Sequence, residues 1–157
     1  MAIEPKAVRH TARTIVIKDG QILVIDRHNA DRHYVVLPGG GIDTGETPEQ
    51  AAVRETYEEA SVTVSNPRIV GLGSFDKDHL GTLYFVLVDY VEGDPLLNPD
   101  SEEALSHHSN NTYEPKWMDL ETFAEAPIVP LGVKEFVIES LKKSWPMKPK
   151  RLQIQWG

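Results

Sequence analysis

Residues 40–62 read GGIDTGETPEQAAVRETYEEASV, and this stretch decides how the rest of the chain is understood. Thr47 followed by Pro48 is a helix start. The threonine oxygen can accept from a first-turn amide, and proline at the first helical position gives up no needed donor. The helix is predicted to run to about Ala60. On a wheel with Glu55 at the origin, Glu58 falls at about 300° and Glu59 at about 40°, so three carboxylates share one arc. Val53, Thr56, Tyr57 and Ala60 take the opposite side, which is read as buried, while Ala51 and Ala52 leave room above the acidic arc. Like charges at i,i+4 cost a few tenths of a kcal/mol. A hard, oxygen-seeking cation turns that repulsion into binding, and Mg²⁺ with a substrate phosphate is the usual case. Taken alone, the arc is better read as a solvated acidic face with Arg54 and Glu58 as an i,i+4 pair; the context in front of the helix reverses that.

Working outward, β-branched runs at 11–17 and 21–27 flank Lys18-Asp19-Gly20, a hairpin signal because the turn needs positive φ. A polar loop from Arg27 to Arg32 leads to the apolar run Tyr34–Leu37, which Pro38-Gly39-Gly40-Gly41 stops. Strand signals resume at Val62–Val64, Ile69–Phe75 and Thr82–Val91, with a hairpin loop at Asp76-Lys77-Asp78-His79. Residues 92–112 lack periodicity and read as a long mobile loop. Lys116-Trp117-Met118 is a short strand, and Asp119 caps a brief turn containing Leu120 and Phe123. Val133, Phe136, Val137 and Leu141 form the stripe of an amphipathic helix. In the tail, Leu152, Ile154 and Trp156 alternate, fitting an edge strand, a surface cover or a homodimer contact. No repeat or linker appears. The expectation is one α/β (α+β) domain over residues 1–157 with a mostly non-parallel sheet.

The chain has 157 residues, with 16 Lys plus Arg against 24 Asp plus Glu, a net charge of −8. Such acidity argues against general nucleic-acid binding, which draws on counterion release by basic residues. It leaves small polyphosphates open, because divalent ions bridge carboxylates to phosphates. The absence of cysteine removes disulfides, thiolate metal sites and cysteine nucleophiles. No apolar run approaches membrane length and no leader is visible, so no membrane contact and a cytoplasmic location are expected.

The quoted stretch resembles the Nudix hydrolase signature, G-x5-E-x7-R-E-U-x-E-E-x-G-U, with U a bulky aliphatic residue. Gly40, Glu46, Arg54, Glu55, Glu58, Glu59 and Val62 fill seven of its nine specified positions. Background frequencies put a chance match on the order of one in 10⁴ or rarer. Thr56 and Ser61 depart from it. Thr56 points to the buried side and needs a partner, such as the carbonyl four residues back. Ser61 occupies the left-handed position after the helix that glycine fills most easily. The resemblance spans roughly residues 8–143 and leaves out the tail at 146–157. It implies the Nudix fold, a mixed β-sheet sandwiched between α-helices with the box as a loop–helix–loop. It also implies hydrolysis of a nucleoside diphosphate linked to another group, by water attack on phosphorus with Mg²⁺ or Mn²⁺.

Under that resemblance Glu55, Glu58 and Glu59 hold the cation with a main-chain carbonyl of Gly39 or Gly40. One of them, or a loop carboxylate, deprotonates the water. Glu46 and Arg54 hold the loop against the helix. Glu114 sits where the family often places another carboxylate, as ligand or base, and Glu102 and Glu103 are weaker candidates in the long loop. Arg27, Arg32 and His33, with His28 beside them, are candidates to meet substrate phosphates. His107 and His108 are read as exposed, and Tyr84, Phe85 and Trp117 as sheet-face or core aromatics. The competing function is a Nudix-fold module that binds a nucleotide or sugar-nucleotide without turnover; the retained glutamates weigh against it. A purely structural domain leaves the acidic arc unexplained.

Overall fold

The computed structural model describes residues 9–74 and 81–155. Its first elements are β1 (Thr11–Lys18), β2 (Gln21–Asn29), β3 (Arg32–Val36), β4 (Gly39–Gly41) and helix α1 (Pro48–Ala60). There follow β5 (Thr63–Ser74), β6 (Thr82–Glu92), α2 (Glu102–Ser106) and β7 (Asn111–Asp119). The chain ends with α3 (Leu120–Glu125), α4 (Val133–Lys142) and β8 (Lys150–Leu152). Among the described residues eight strands make one mixed sheet in the order β3-β2-β1-β6-β5-β8, with β4 on β1 and β7 on β2. The β1–β6 and β5–β8 pairs are parallel and the rest antiparallel.

Helices cover both faces of the sheet. On one side Ala51, Ala52 and Ala60 of α1 pack with Val16, Leu23, Ile25 and Val86. On the other, Phe123 of α3 and Val133, Phe136 and Val137 of α4 pack with Ile15, Ile22, Val24 and Phe85. Burying side chains of this size stabilises the fold by roughly 1.5–3 kcal/mol each.

The site's position follows from a split in the sheet. β1 pairs with β2 only at Ile17–Lys18, next to the Asp19-Gly20 turn, while its other end, Thr11–Arg13, pairs with β4. The crossing is narrow. A Cβ on Gly39 would collide with the Ala12 carbonyl, and one on Gly40 would lie 2.6 Å from the Glu55 carboxylate. Glycine is required at 39, where backbone meets backbone; at 40 the neighbour is the end of the Glu55 side chain. Arg13 spans the gap, donating to the Leu37 carbonyl at 3.0 Å.

Several expectations change. Arg27–Arg32 is not a loop: β2 and β3 pair through Asn29↔Arg32 across a turn at Ala30-Asp31, with Ala30 at φ 55°. Two of the predicted strands join into β5, which passes Asn66 (φ 51°) through register shifts. The region 92–112 contains α2 and the start of β7, and the short strand at Lys116–Met118 is nine residues long because it pairs with all of β2. Asp119 precedes α3 without a side-chain cap and instead accepts from Gln21 at 3.1 Å. In α4 the buried stripe ends on Ser140, with Leu141 outside it. The tail supplies the edge strand β8, and Leu152 joins the core. Phe75, the Asp76–His79 loop and Trp156 lie outside the described residues.

Candidate active site

Helix α1 starts where its sequence says. Thr47 Oγ1 accepts from Gln50 N at 3.1 Å, and Gln50 Oε1 accepts from Thr47 N at 2.9 Å, a closed capping box. Its end is equally local: Ser61 is left-handed at φ 59° and its hydroxyl donates to the Leu96 carbonyl at 2.8 Å. Thr56 lies 2.7 Å from both the Ala52 carbonyl and the buried Thr14 hydroxyl, so its departure from the signature leaves no orphaned polar group.

The helix is rotated from the face assignment the wheel suggested. Ala51, Ala52, Thr56, Glu59 and Ala60 are the buried residues, and Tyr57 is 54% exposed. Glu59 therefore sits in the middle of the buried face, at 4% exposure, with Glu55 beside it and Glu58 at the exposed margin. The small alanines let α1 approach the sheet closely; they do not open space above the carboxylates.

Arg54 organises the loop. Its Nε and Nη2 each donate at 2.8 Å to Glu46, Nη2 also reaches the Gly41 carbonyl at 3.0 Å, and Nη1 donates to Glu55 (2.8 Å) and Glu58 (3.0 Å). This paired contact fixes the loop's direction into α1. The guanidinium holds the Glu46 carboxyl below its usual range, and Glu46 pushes the Arg54 pKa up. Arg54 is not a counter-charge for Glu59, which among the described residues accepts one bond, from Gly39 N–H at 2.9 Å. Burial raises the Glu59 carboxyl to about 8 against the opposing pull of Arg13 and the Gly39 amide, with Glu103 and Glu55 adding to the rise. Burial also raises Glu55, against Arg54.

Carboxylate oxygens of Glu55, Glu59 and Glu103 lie within 4.8 Å of one another. Glu103 comes from α2, whose first turn Ser101 caps by accepting from Ala104 N at 3.1 Å. Sequence reasoning ranked it below Glu114. The missed signal was Ser101-Glu102-Glu103, a capping residue before two acids, which is a helix start. Glu114 lies elsewhere, exposed on β7 opposite Asp26.

Strand alternation also separates the basic candidates. Arg27 lines the cavity and sits 3.7 Å over the Tyr113 ring; Arg32 lies over Tyr34 at 4.8 Å. His33 faces the other way, its Nε2 2.6 Å from Asp26 Oδ1, so it does not share the cavity with Arg27. Two adjoining cavities, of about 480 and 380 Å³, share Arg9, Gly40, Gly41 and Glu103. The first holds Glu55 and Glu58; the second holds Glu59, Arg13, Arg27, Tyr34 and Tyr113. Arg9, two residues before β1, and Thr11 and Arg13 within it share this face, a period-two signal absent from the sequence analysis.

A mixed sheet between helices, with an acidic loop–helix box at the split beside β1, defines the class. Residues 8–137 match the family model described as the NUDIX domain, and the chain belongs to that family. It is 35% identical over 102 residues to an ADP-ribose pyrophosphatase of Methanocaldococcus jannaschii, covering 62% of this chain and 60% of that one. It is 38% identical over 85 residues to an 8-oxo-dGTP diphosphatase of Escherichia coli, covering 52% and 66%. The matched segments thus span less than two thirds of either relative. A crystal structure of a NUDIX hydrolase from Nitrosomonas europaea has the same fold, at TM-score 0.68 and 18% identity over 96% of this chain and 81% of that one. No helix among the described residues is long and apolar enough to cross a membrane.

Proposed function

We propose that this chain hydrolyses a nucleoside diphosphate linked to a second group, using Mg²⁺ or Mn²⁺ held by Glu55, Glu58 and Glu59 with the Gly40 carbonyl. The observation that carries this reading is the convergence of three carboxylates, one of them buried and raised to about 8, on a cavity whose other wall is basic and aromatic. The donors are all oxygen, and their repulsion is offset only in part by Arg54 and Arg13. That suits a hard divalent cation. Such an ion, when bound, supplies charge neutralisation at phosphorus and lowers the pKa of a water.

The residues divide the remaining work. Arg54 and Glu46 keep the loop in register with α1, so the carboxylates stay aligned. Glu103 is the base in this reading: among the described residues no hydrogen bond or ion pair reaches its carboxylate, leaving it able to take the water's proton. The water oxygen bonds to phosphorus, the bridging P–O bond breaks, and the products are a nucleoside monophosphate and the phosphorylated second group. Arg9 and Arg27 face the cavities and stabilise phosphate charge, while the Tyr34 and Tyr113 rings hold the Arg27 guanidinium in place. The relatives' names support a nucleotide-derived substrate such as ADP-ribose or an oxidised nucleoside triphosphate. The acidic net charge favours a small molecule over long nucleic acid, and a cytoplasmic setting belongs to the same reading.

The test is a panel of nucleoside diphosphate derivatives with Mg²⁺ or Mn²⁺ in ¹⁸O-labelled water, scored by mass spectrometry. Label in one phosphate product, and turnover abolished by chelator, are the expected results. Saturable binding with no hydrolysis of any compound would make the chain a binding module instead.

A further inference from the structure

On the face of β2 turned away from the acidic cluster, Asp26, His28 and His33 bring ligand atoms within 4.8 Å of one another. His28 and His33 are direct cross-strand partners in the β2–β3 ladder, their rings stacked 4.3 Å apart at 12°. His33 Nε2 lies 2.6 Å from Asp26 Oδ1, while Asp26 Oδ2 accepts from Lys116 Nζ at 2.8 Å. We propose that Asp26, His28 and His33 form a second metal site, one that takes a borderline transition-metal ion such as Zn²⁺ and has a chemistry opposite to that of the acidic cluster.

The donor set argues for it. Two imidazoles and one carboxylate suit Zn²⁺, Ni²⁺ or Cu²⁺, which bind nitrogen well. Tetrahedral Zn²⁺ with bonds of about 2.0–2.1 Å separates its ligand atoms by about 3.3 Å. The Asp26–His33 contact is shorter than this and the others are no longer than 4.8 Å, so small shifts of side chains are enough. In those shifts the ion replaces the proton shared between Asp26 and His33. Both imidazoles are exposed, which lets the His28 ring turn toward the carboxylate and leaves a position for water.

Lys116 gives the site its selectivity. Its ammonium offsets the Asp26 charge and holds Oδ2 in place, leaving Oδ1 for a ligand. Mg²⁺ needs near-octahedral oxygen ligation and gains little from one neutralised carboxylate. Glu114, register-paired with Asp26, adds an exposed negative charge on the same face. An ion here would tie β2 to β3, the hairpin whose opposite face carries Arg27 and Tyr34 of the substrate cavity.

Untagged full-length protein in excess Mg²⁺ should be titrated with Zn²⁺ by calorimetry, alongside His28→Ala and Glu59→Gln. The expected result is saturable binding near one ion per chain, weakened at least about tenfold in His28→Ala and kept in Glu59→Gln. Zn²⁺ should also raise the melting temperature of the wild type and not that of His28→Ala. The proposal fails if no saturable binding occurs or if His28→Ala binds as tightly as wild type. Loss of the binding in Glu59→Gln would overturn it too, by placing the ion in the acidic cluster.

Discussion

The two faces of the sheet each hold a buried aspartate or glutamate, and the two carboxyls move in opposite directions. Asp26 is raised by burial, but Lys116 and His33 outweigh that, and its pKa lies below the ordinary value. Glu59 is more deeply buried, accepts one backbone amide, faces Glu55 and Glu103, and is raised to about 8. The same chemistry is satisfied within the chain on one face and left seeking a positive charge on the other. A buried carboxylate with no ion pair among the described residues, at the mouth of a polar cavity, marks a place where the fold gives up stability for binding.

Removing the demanding carboxylate should have the largest effect. Glu59→Gln is expected to lower turnover by at least about 10³, since each 1.4 kcal/mol of lost transition-state stabilisation is tenfold. Steady-state kinetics on the best compound of the panel would measure it, with circular dichroism to confirm folding. Glu103→Gln should lower kcat strongly while retaining metal binding, which separates a base from a ligand. If Glu103→Gln keeps wild-type kcat, the base lies elsewhere in the cluster.

On the opposite face, Lys116→Met leaves Asp26 with His33 alone. The expected cost is about 1–3 kcal/mol, moderated by the partial exposure of Lys116, and denaturant unfolding would read it. The double variant Asp26→Asn/Lys116→Met should recover much of the loss, because no uncompensated charge remains. Equal destabilisation in the single and double variants would show that the pair contributes packing and not charge compensation.

The two clusters also predict opposite pH limbs of stability in metal-free protein. Asp26 has a lowered pKa, so its contribution is full above the unfolded value and is lost as pH falls through the folded one. Glu59 has a raised pKa, so its contribution is full below the unfolded value and is lost progressively as pH rises from there through about 8, where the loss is complete. Melting temperature should therefore fall at both ends. Asp26→Asn should flatten the acid limb and Glu59→Gln the alkaline one. An alkaline limb unchanged in Glu59→Gln would mean that Glu59 is ionised at neutral pH.

Ser61→Gly is the smallest effect, within about 0.5 kcal/mol of wild type. Relief of the left-handed backbone is set against the lost bond to Leu96 and the added freedom of the unfolded chain.

What the sequence disclosed follows the range of each signal. The box helix is bounded by local chemistry, Thr47-Pro48 and Gln50 at one end and Ser61 at the other, and both ends stand where they were read. The Asp19-Gly20 turn is equally local. Which side of α1 is buried is set by how the sheet splits beside β1, a long-range fact, so Tyr57 and Glu59 were assigned to the wrong sides. His33 was grouped with Arg27 and Arg32 because the segment looked like a loop; once it is a hairpin, alternation sends His33 across the sheet. Glu103 reaches the cluster through a five-residue helix too short to show a hydrophobic period.

Burial raises the Glu59 carboxyl to about 8, and a divalent ion bound there should displace its proton. Calorimetric titration of metal-free protein with Mn²⁺ at pH 7, in two buffers of different ionisation enthalpy, tests it directly. The expected result is close to one proton released per ion bound, with binding greatly weakened in Glu59→Gln. Binding that releases no proton and is indifferent to Glu59→Gln would contradict it.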